Sequence, residues 1–214
     1  MPVLFEDERI LALDKPVGLP VIPGRQIGGD FLQAQAALHC GGRVFVVHRI
    51  DQAASGLVLF AKDAQAHRAL SMQFEKREVR KLYLAAAEGE ITADGESDRP
   101  IRAFGSGRMG VAQDGKPSLT RYRVKTPLRG ATLLEVEPLT GRRHQIRVHL
   151  YALGHPILGD PLYGAKRPVG GAPRLMLHAL EVEFLDMRGT TRVIRSEPGA
   201  DFLAVVEAFS VPAN

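Results

Sequence analysis

The sequence has a single cysteine, Cys40, which excludes an internal disulfide and any cysteine-rich metal site. One lone thiol agrees with a reducing cytosol. Nor does any apolar run reach about 18 residues, the length needed to carry a helix across a bilayer. The opening residues MPVLFEDERI are acidic where a secretory leader would be basic, and they lack its apolar core. Internal repeats, low-complexity tracts and linkers are also missing. What is present is ordinary for a globular protein: 214 residues, 45% hydrophobic and 24% charged. The expectation is one domain over residues 1–214, in the cytoplasm, with a monomer as the default state.

The net charge of +4 is small, but it is unevenly spread. Between Arg99 and Arg147 stand eleven Lys/Arg and three Asp/Glu, which leaves 17 basic and 21 acidic residues elsewhere. A basic stretch in an otherwise acidic chain is the footprint expected for a polyanion. A solvated basic face would give the same count, so charge alone does not decide.

Apolar runs punctuated by Gly and Pro suggest strands with a few helices. Strands are expected at 9–13, 44–47, 57–61, 82–87, 119–125, 131–137, 175–185 and 190–195. Alternation in 119–125 and 131–137 indicates half-buried antiparallel pairing. Helices are expected over 30–40 with Asp30 as N-cap, and over 64–77 with Asp63 as N-cap. A third begins after Thr140-Gly141 and runs to about Ala152, where Gly154 and Pro156 end it. A short one closes the chain at 201–209. Residues 95–118 read as loops and short strands. The class is α+β, with a mixed, mostly antiparallel central sheet and peripheral helices.

Two segments carry chemistry. The first is HRIDQAASGLVLFAK, residues 48–62, where polar side chains sit between two apolar strands. A carboxylate at the end of a buried strand is held rigidly, as a reacting group must be. An isolated Asp in such a turn more often just satisfies backbone groups. The second is PLTGRRHQIRVHLYALGHPILGDPLYG, residues 138–164. If Thr140 caps the helix, Arg142 and Arg143 fall in its first turn, with Arg143 and Arg147 on one face. Positive charge there opposes the helix dipole and calls for an anion, either a phosphate or a buried carboxylate. A basic surface helix is the bland alternative.

Together the segments resemble the RluA family of RNA pseudouridine synthases, whose signatures are H-R-L-D-x-x-T-S-G and G-R-[ST]-H-Q-[IL]-R-x-H. Here they read His48-Arg49-Ile50-Asp51-Gln52-Ala53-Ala54-Ser55-Gly56 and Gly141-Arg142-Arg143-His144-Gln145-Ile146-Arg147-Val148-His149. Lys81-Leu82-Tyr83 matches the K-x-Y element, and LDKPVGLPV, GHPILGDPLYG and LMLHA are also similar. Several motifs in order over nearly the whole chain are far more specific than one short pattern. Three departures stand out: Ile50 for Leu, Ala54 for Thr, and Arg143 for Ser or Thr. They bear on substrate preference, since none removes a reacting group.

The resemblance implies the pseudouridine synthase fold and the isomerisation of uridine to pseudouridine in structured RNA, of the transfer or large-subunit ribosomal kind. Asp51 is implied as the catalytic carboxylate, acting at ribose C1′ as nucleophile or at C2′ as base. Arg147 would pair with it and keep it ionised, as an opposite charge within about 4–6 Å does. Tyr83 would pack on the target base and help remove the C5 proton. Arg49 would fill the place the uridine vacates, because a glycosidic bond inside stacked RNA is out of reach. His48, Arg142, Arg143 and His144 complete the expected RNA-binding set. No cofactor or metal is implied. With LDKP beginning at Leu13, the resemblance leads us to expect a compact form without the S4-type RNA-binding module that many members carry.

Other readings fare worse. Gly105-Ser106-Gly107-Arg108-Met109-Gly110 fits G-x-G-x-x-G but lacks the preceding strand and following helix of a dinucleotide site. His144 and His149, five apart, do not share a helix face for a metal. A Ser hydrolase would need G-x-S-x-G, which does not occur. A catalytically silent RNA-binding protein on the same fold is the remaining alternative, but it would have no need of Asp51, Tyr83 and Arg147 together.

Overall fold

A computed structural model describes residues 1–23, 30–105, 107–164 and 171–210. In chain order the elements begin with strands β1 (Val3–Glu6) and β2 (Ile10–Lys15), helix α1 (Leu32–His39), and strands β3 (Phe45–Val46) and β4 (Ser55–Ala61). Next are α2 (Ala64–Lys76), β5 (Arg80–Glu88), β6 (Gly95–Ser97), β7 (Ile101–Ala103) and β8 (Met109–Val111). Strands β9 (Thr120–Leu128) and β10 (Ala131–Pro138) lead into α3 (Gln145–Ala152). The chain ends with β11 (Leu177–Leu185), β12 (Thr191–Arg195) and α4 (Ala200–Ala208). The class is α+β, as expected from the pattern. Among the described residues, no helix is long and apolar enough to cross a membrane.

The chain divides into two compact units, one of residues 1–81 and 179–197, the other of 82–178 and 198–214. In the first, β2 runs antiparallel to both β1 and β4, with Lys15 opposite Gly56 and Ile10 opposite Ala61. β11 pairs with β12. Every residue of β4 is buried, which is why SGLVLFA reads as a continuous apolar run rather than an alternation. Leu57, Leu59 and Ala61 face a core shared with Ile10, Leu70, Val182 and Phe184. Gly56 is required where it stands: its φ is +108°, and a Cβ would lie 2.3 Å from the Ala179 carbonyl oxygen.

Helix α2 starts as expected. The Asp63 carboxylate accepts from the N–H groups of Gln65 (2.8 Å) and Ala66 (2.9 Å). Asp30 does not cap α1. The N-cap is Phe31, without a side-chain bond, because the Leu32 and Gln33 N–H groups already donate to the carbonyls of Pro20 and Val21. Asp30 instead accepts from the Gln35 amide. Strand β1 was not among the expected elements. Its residues are at most half-buried, so pairing with β2 rather than an apolar pattern makes it a strand.

In the second unit, β10 lies between β5 and β9, and β6 extends the far side of β9, all antiparallel. β7 and β8 form a separate two-stranded sheet. The G-x-G-x-x-G stretch belongs to this hairpin and no helix follows it; its Ser106 lies outside the described residues.

Helix α3 differs from expectation at its start. It begins at Gln145, preceded by His144 in the left-handed conformation (φ 57°, ψ 21°). Thr140 is not its cap, and Arg142 and Arg143 lie ahead of it, so Arg143 and Arg147 do not share a helical face. The cause is the buried Gln145 side chain. Its Oε1 accepts from the Arg142 N–H (3.0 Å) and the Thr140 hydroxyl (2.6 Å). Its Nε2 donates to the Leu119 carbonyl and Thr120 Oγ1, both at 2.9 Å. A side chain that satisfies these groups removes the reason for the helix to start earlier.

Candidate active site

Asp51 sits half-buried in the bend between β3 and β4, and its own carbonyl accepts the Ala54 N–H at 3.1 Å. The bend is fixed from beneath by Lys15, whose side chain is fully buried. Its ammonium donates to the carbonyls of Pro16 (2.8 Å), Leu19 (2.8 Å) and Gln52 (3.1 Å). Gln52 is tied twice more: its carbonyl accepts the Gly18 N–H (2.9 Å) and its amide donates to the Gly18 carbonyl (2.8 Å). Lys15 thus clamps the residue next to Asp51 to the turn after β2. Charge-assisted bonds are the strong ones, and three of them converge here.

His48 has a task inside the protein. Its Nε2 accepts the Leu59 N–H at 2.9 Å, and its ring stacks on Phe74 with centroids 4.8 Å apart. Burial, with a smaller effect from the Lys81 cation, pushes its pKa down to about 3. The ring is therefore neutral, as an acceptor of a backbone N–H must be. Ile50 is buried and Arg49, between these two anchors, is exposed. The first unit thus gathers His48, Arg49 and Asp51 on one clamped loop.

The second unit holds the rest. Tyr83 lies half-buried on β5, opposite Val136 of β10. Arg147, in the first turn of α3, is buried and forks onto Asp160: Nε to Oδ2 at 2.7 Å and Nη2 to Oδ1 at 2.8 Å. This is the buried carboxylate that a cation near a helix N-terminus calls for. Asp160 also accepts the N–H groups of Leu162 (2.8 Å) and Tyr163 (3.0 Å). Burial alone would raise its carboxyl pKa, but Arg147 and these N–H groups outweigh it and hold the value below the ordinary one.

The His144 Nδ1 hydrogen-bonds the Tyr163 hydroxyl at 2.9 Å. His149 bonds Thr120 Oγ1 and the Arg99 carbonyl, both at 2.9 Å. Among the described residues, no group of three His, Cys, Asp or Glu could hold a metal ion. Arg142 donates from Nε to the Pro117 carbonyl at 3.2 Å, and Arg143 is exposed. Sequence reasoning gave no role to Lys15, Gln145, Asp160 or Tyr163. The only signal for them was their place inside the matched stretches LDKPVGLPV, GRRHQIRVH and GHPILGDPLYG.

Residues 9–152 match the profile of a family described as RNA pseudouridylate synthase. The chain belongs to this family. The dual-specificity RNA pseudouridine synthase RluA of Vibrio cholerae is 41% identical, over 87% of this chain and 78% of that protein. Ribosomal large subunit pseudouridine synthase D of Nitrosomonas europaea is 37% identical over 96% of this chain. This chain spans 64% of the length of that second relative. Among solved structures, human RNA pseudouridylate synthase domain containing 1 is similar with a TM-score of 0.78 and 27% identity. That likeness covers 95% of this chain and 86% of the other. Human RNA pseudouridylate synthase domain containing 4 shares the fold, with a TM-score of 0.80 at 24% identity over 97% of this chain and 92% of that one. The RluA-type resemblance and the pseudouridine synthase fold expected from the motifs both hold.

Proposed function

We propose that this protein is an RNA pseudouridine synthase with Asp51 as its reacting carboxylate. The observation that carries the reading is the clamp around the Asp51 loop: a fully buried Lys15 and two Gly18–Gln52 bonds fix the backbone beside one carboxylate. Rigid support of this kind is what a reacting group needs and a surface turn does not. Asp51 acts on the ribose at C1′ or C2′, the C1′–N1 bond breaks, and the freed base turns. C5 then bonds to C1′ as the bond to Asp51 breaks or the C2′ proton returns, and the C5 proton leaves while N1 ends protonated. The reaction is an isomerisation with no net redox change and no added group, so the protein's own side chains suffice.

Tyr83 packs on the turning base. Arg147 belongs to the catalytic set through the motif it shares with the family; its fork onto Asp160 uses two of the five guanidinium N–H donors and fixes the guanidinium plane. Arg49, Arg142, Arg143 and His144 contact the RNA, and His48 supports the loop. The substrate is a structured RNA, of the large-subunit ribosomal or transfer class, modified in the cytoplasm by a monomer. The two relatives, a dual-specificity RNA pseudouridine synthase and a ribosomal large subunit pseudouridine synthase, support that range.

Asp51→Asn tests the reading, because the amide keeps the shape but is a far weaker nucleophile or base. Uridine conversion is expected to vanish while RNA retention stays near wild type. Substantial turnover by the variant rejects the assignment of Asp51. Mapping pseudouridines in total RNA with and without the gene names the substrate.

A further inference from the structure

The hairpin of β7 and β8 is fixed at its root and open at its tip. Ile101 is buried with Val148 of α3 and Tyr163, and Met109 packs over them. The Tyr163 hydroxyl accepts the Met109 N–H at 2.9 Å, the same hydroxyl that bonds His144 at the start of α3. The hairpin is thereby anchored to the helix that carries Arg147. Past this root stands Phe104, 40% exposed. Gly110 lets the ring lie close on β8, since a Cβ there would come within 2.7 Å of ring Cε2. The Arg102 guanidinium stacks on the ring, its carbon 4.7 Å from the centroid. Asp114 holds Arg102 from the side at 2.5 Å. Arg108, on the returning strand side, lies 5.4 Å from the Tyr163 ring centroid.

A phenyl ring gains most from full burial, yet this one is supported by backbone and cation and left partly in water. It also lies inside the most basic stretch of the chain. An aromatic face backed by arginines on a fixed element is the form that single-stranded RNA recognition takes: the base stacks and the cations take the phosphates. We propose that Phe104, backed by Arg102, is a stacking platform for one unpaired base of the RNA substrate, apart from the uridine that reacts. The proposal rests on the RNA-directed reading above. A base inside a duplex offers no free face, so the platform selects loops and bulges over paired stems.

The test compares wild type, Phe104→Ala and Phe104→Tyr on a short oligouridylate and on an RNA duplex of equal length, by fluorescence anisotropy. Phe104→Ala is expected to weaken oligouridylate binding about 5- to 150-fold, the loss that removing one base–aromatic stack produces, and to leave the duplex nearly unchanged. Phe104→Tyr keeps the face and keeps the binding. Oligouridylate carrying 5-iodouridine should photocrosslink to the peptide containing Phe104. Equal losses on both RNAs, or no loss on either, overturn the platform. Crosslinks confined to peptides other than the one containing Phe104 do so too. Wild-type conversion of uridine is measured separately, so a failed platform leaves the synthase reading standing. A wild type that binds neither RNA overturns the platform, whereas the synthase reading falls only if uridine conversion is absent. Thermal melts confirm that the variants remain folded.

Discussion

Arg147 and Asp160 form a two-pronged ion pair that excludes water, their side chains 3% and 0% exposed. Removing one partner of such a pair leaves the other buried and uncompensated, at a cost of about 3–5 kcal/mol. Asp160→Ala should therefore lower the melting temperature markedly and reduce conversion, because Arg147 loses the carboxylate that fixes its plane. The pH dependence follows from the lowered Asp160 pKa. Its stabilising contribution is complete above the unfolded carboxyl value of about 3.9. It is lost as pH falls through the lower folded value. The stability gap between wild type and Asp160→Asn should thus shrink when denaturant melts are taken from about pH 5 to about pH 2. A gap that stays constant places the pair's contribution elsewhere.

Lys15 gives a second prediction. Lys15→Met keeps the aliphatic stem but withdraws a charged donor from three carbonyls. Hydrogen bonds to charged groups contribute about 1.5–3 kcal/mol each, so losing all three is expected to cost about 4.5 kcal/mol or more. Where the variant stays folded at low temperature, kcat should fall more than KM rises, since the clamp bonds directly to Gln52, the neighbour of Asp51, and reaches Arg49 only through the loop. An unchanged kcat would mean that the loop holds its shape without the clamp.

The loop that carries Asp51 was legible in the sequence as a structural feature because a buried strand and a polar turn leave opposite signatures in neighbouring residues. β4, α2 and the Asp63 cap follow from local chemistry alone. The start of α3 was not legible. Thr140 has the right hydroxyl for a cap, but the bonds of Gln145 to Leu119 and Thr120 are tertiary, about 25 residues away in the chain. Lys15 and Asp160 escaped for the same reason. Each looks like an ordinary surface charge in sequence, and only burial shows that its partners are carbonyls or a guanidinium.

The basic stretch predicts a steep fall of RNA affinity with salt, through counterion release. Arg142 and Arg143 are not equivalent in this. The Arg142 guanidinium already donates to Pro117, whereas Arg143 is exposed. Arg143→Ala should shallow the plot of log affinity against log salt by about 0.7–0.9 without altering the melt. Arg142→Ala should also lower stability. A slope unchanged in both variants places the phosphates on other residues.

Arg49 is held out to solvent between two fixed neighbours, the ring of His48 bonded to Leu59 and the buried side chain of Ile50. No ion pair involving Arg49 is found among the described residues. A guanidinium is planar, stays charged and stacks on bases, so it can occupy the place a flipped uridine leaves. Unstacking costs a few kcal/mol, least where the base is already unpaired. Arg49→Ala is therefore expected to slow conversion in a folded stem-loop much more than in a short unstructured RNA with the same uridine. A merely structural arginine would lower both rates alike or destabilise the protein. Single-turnover rates on the two RNAs, with a thermal melt beside them, separate these outcomes. Equal losses on both RNAs would rule out a role in exposing the base.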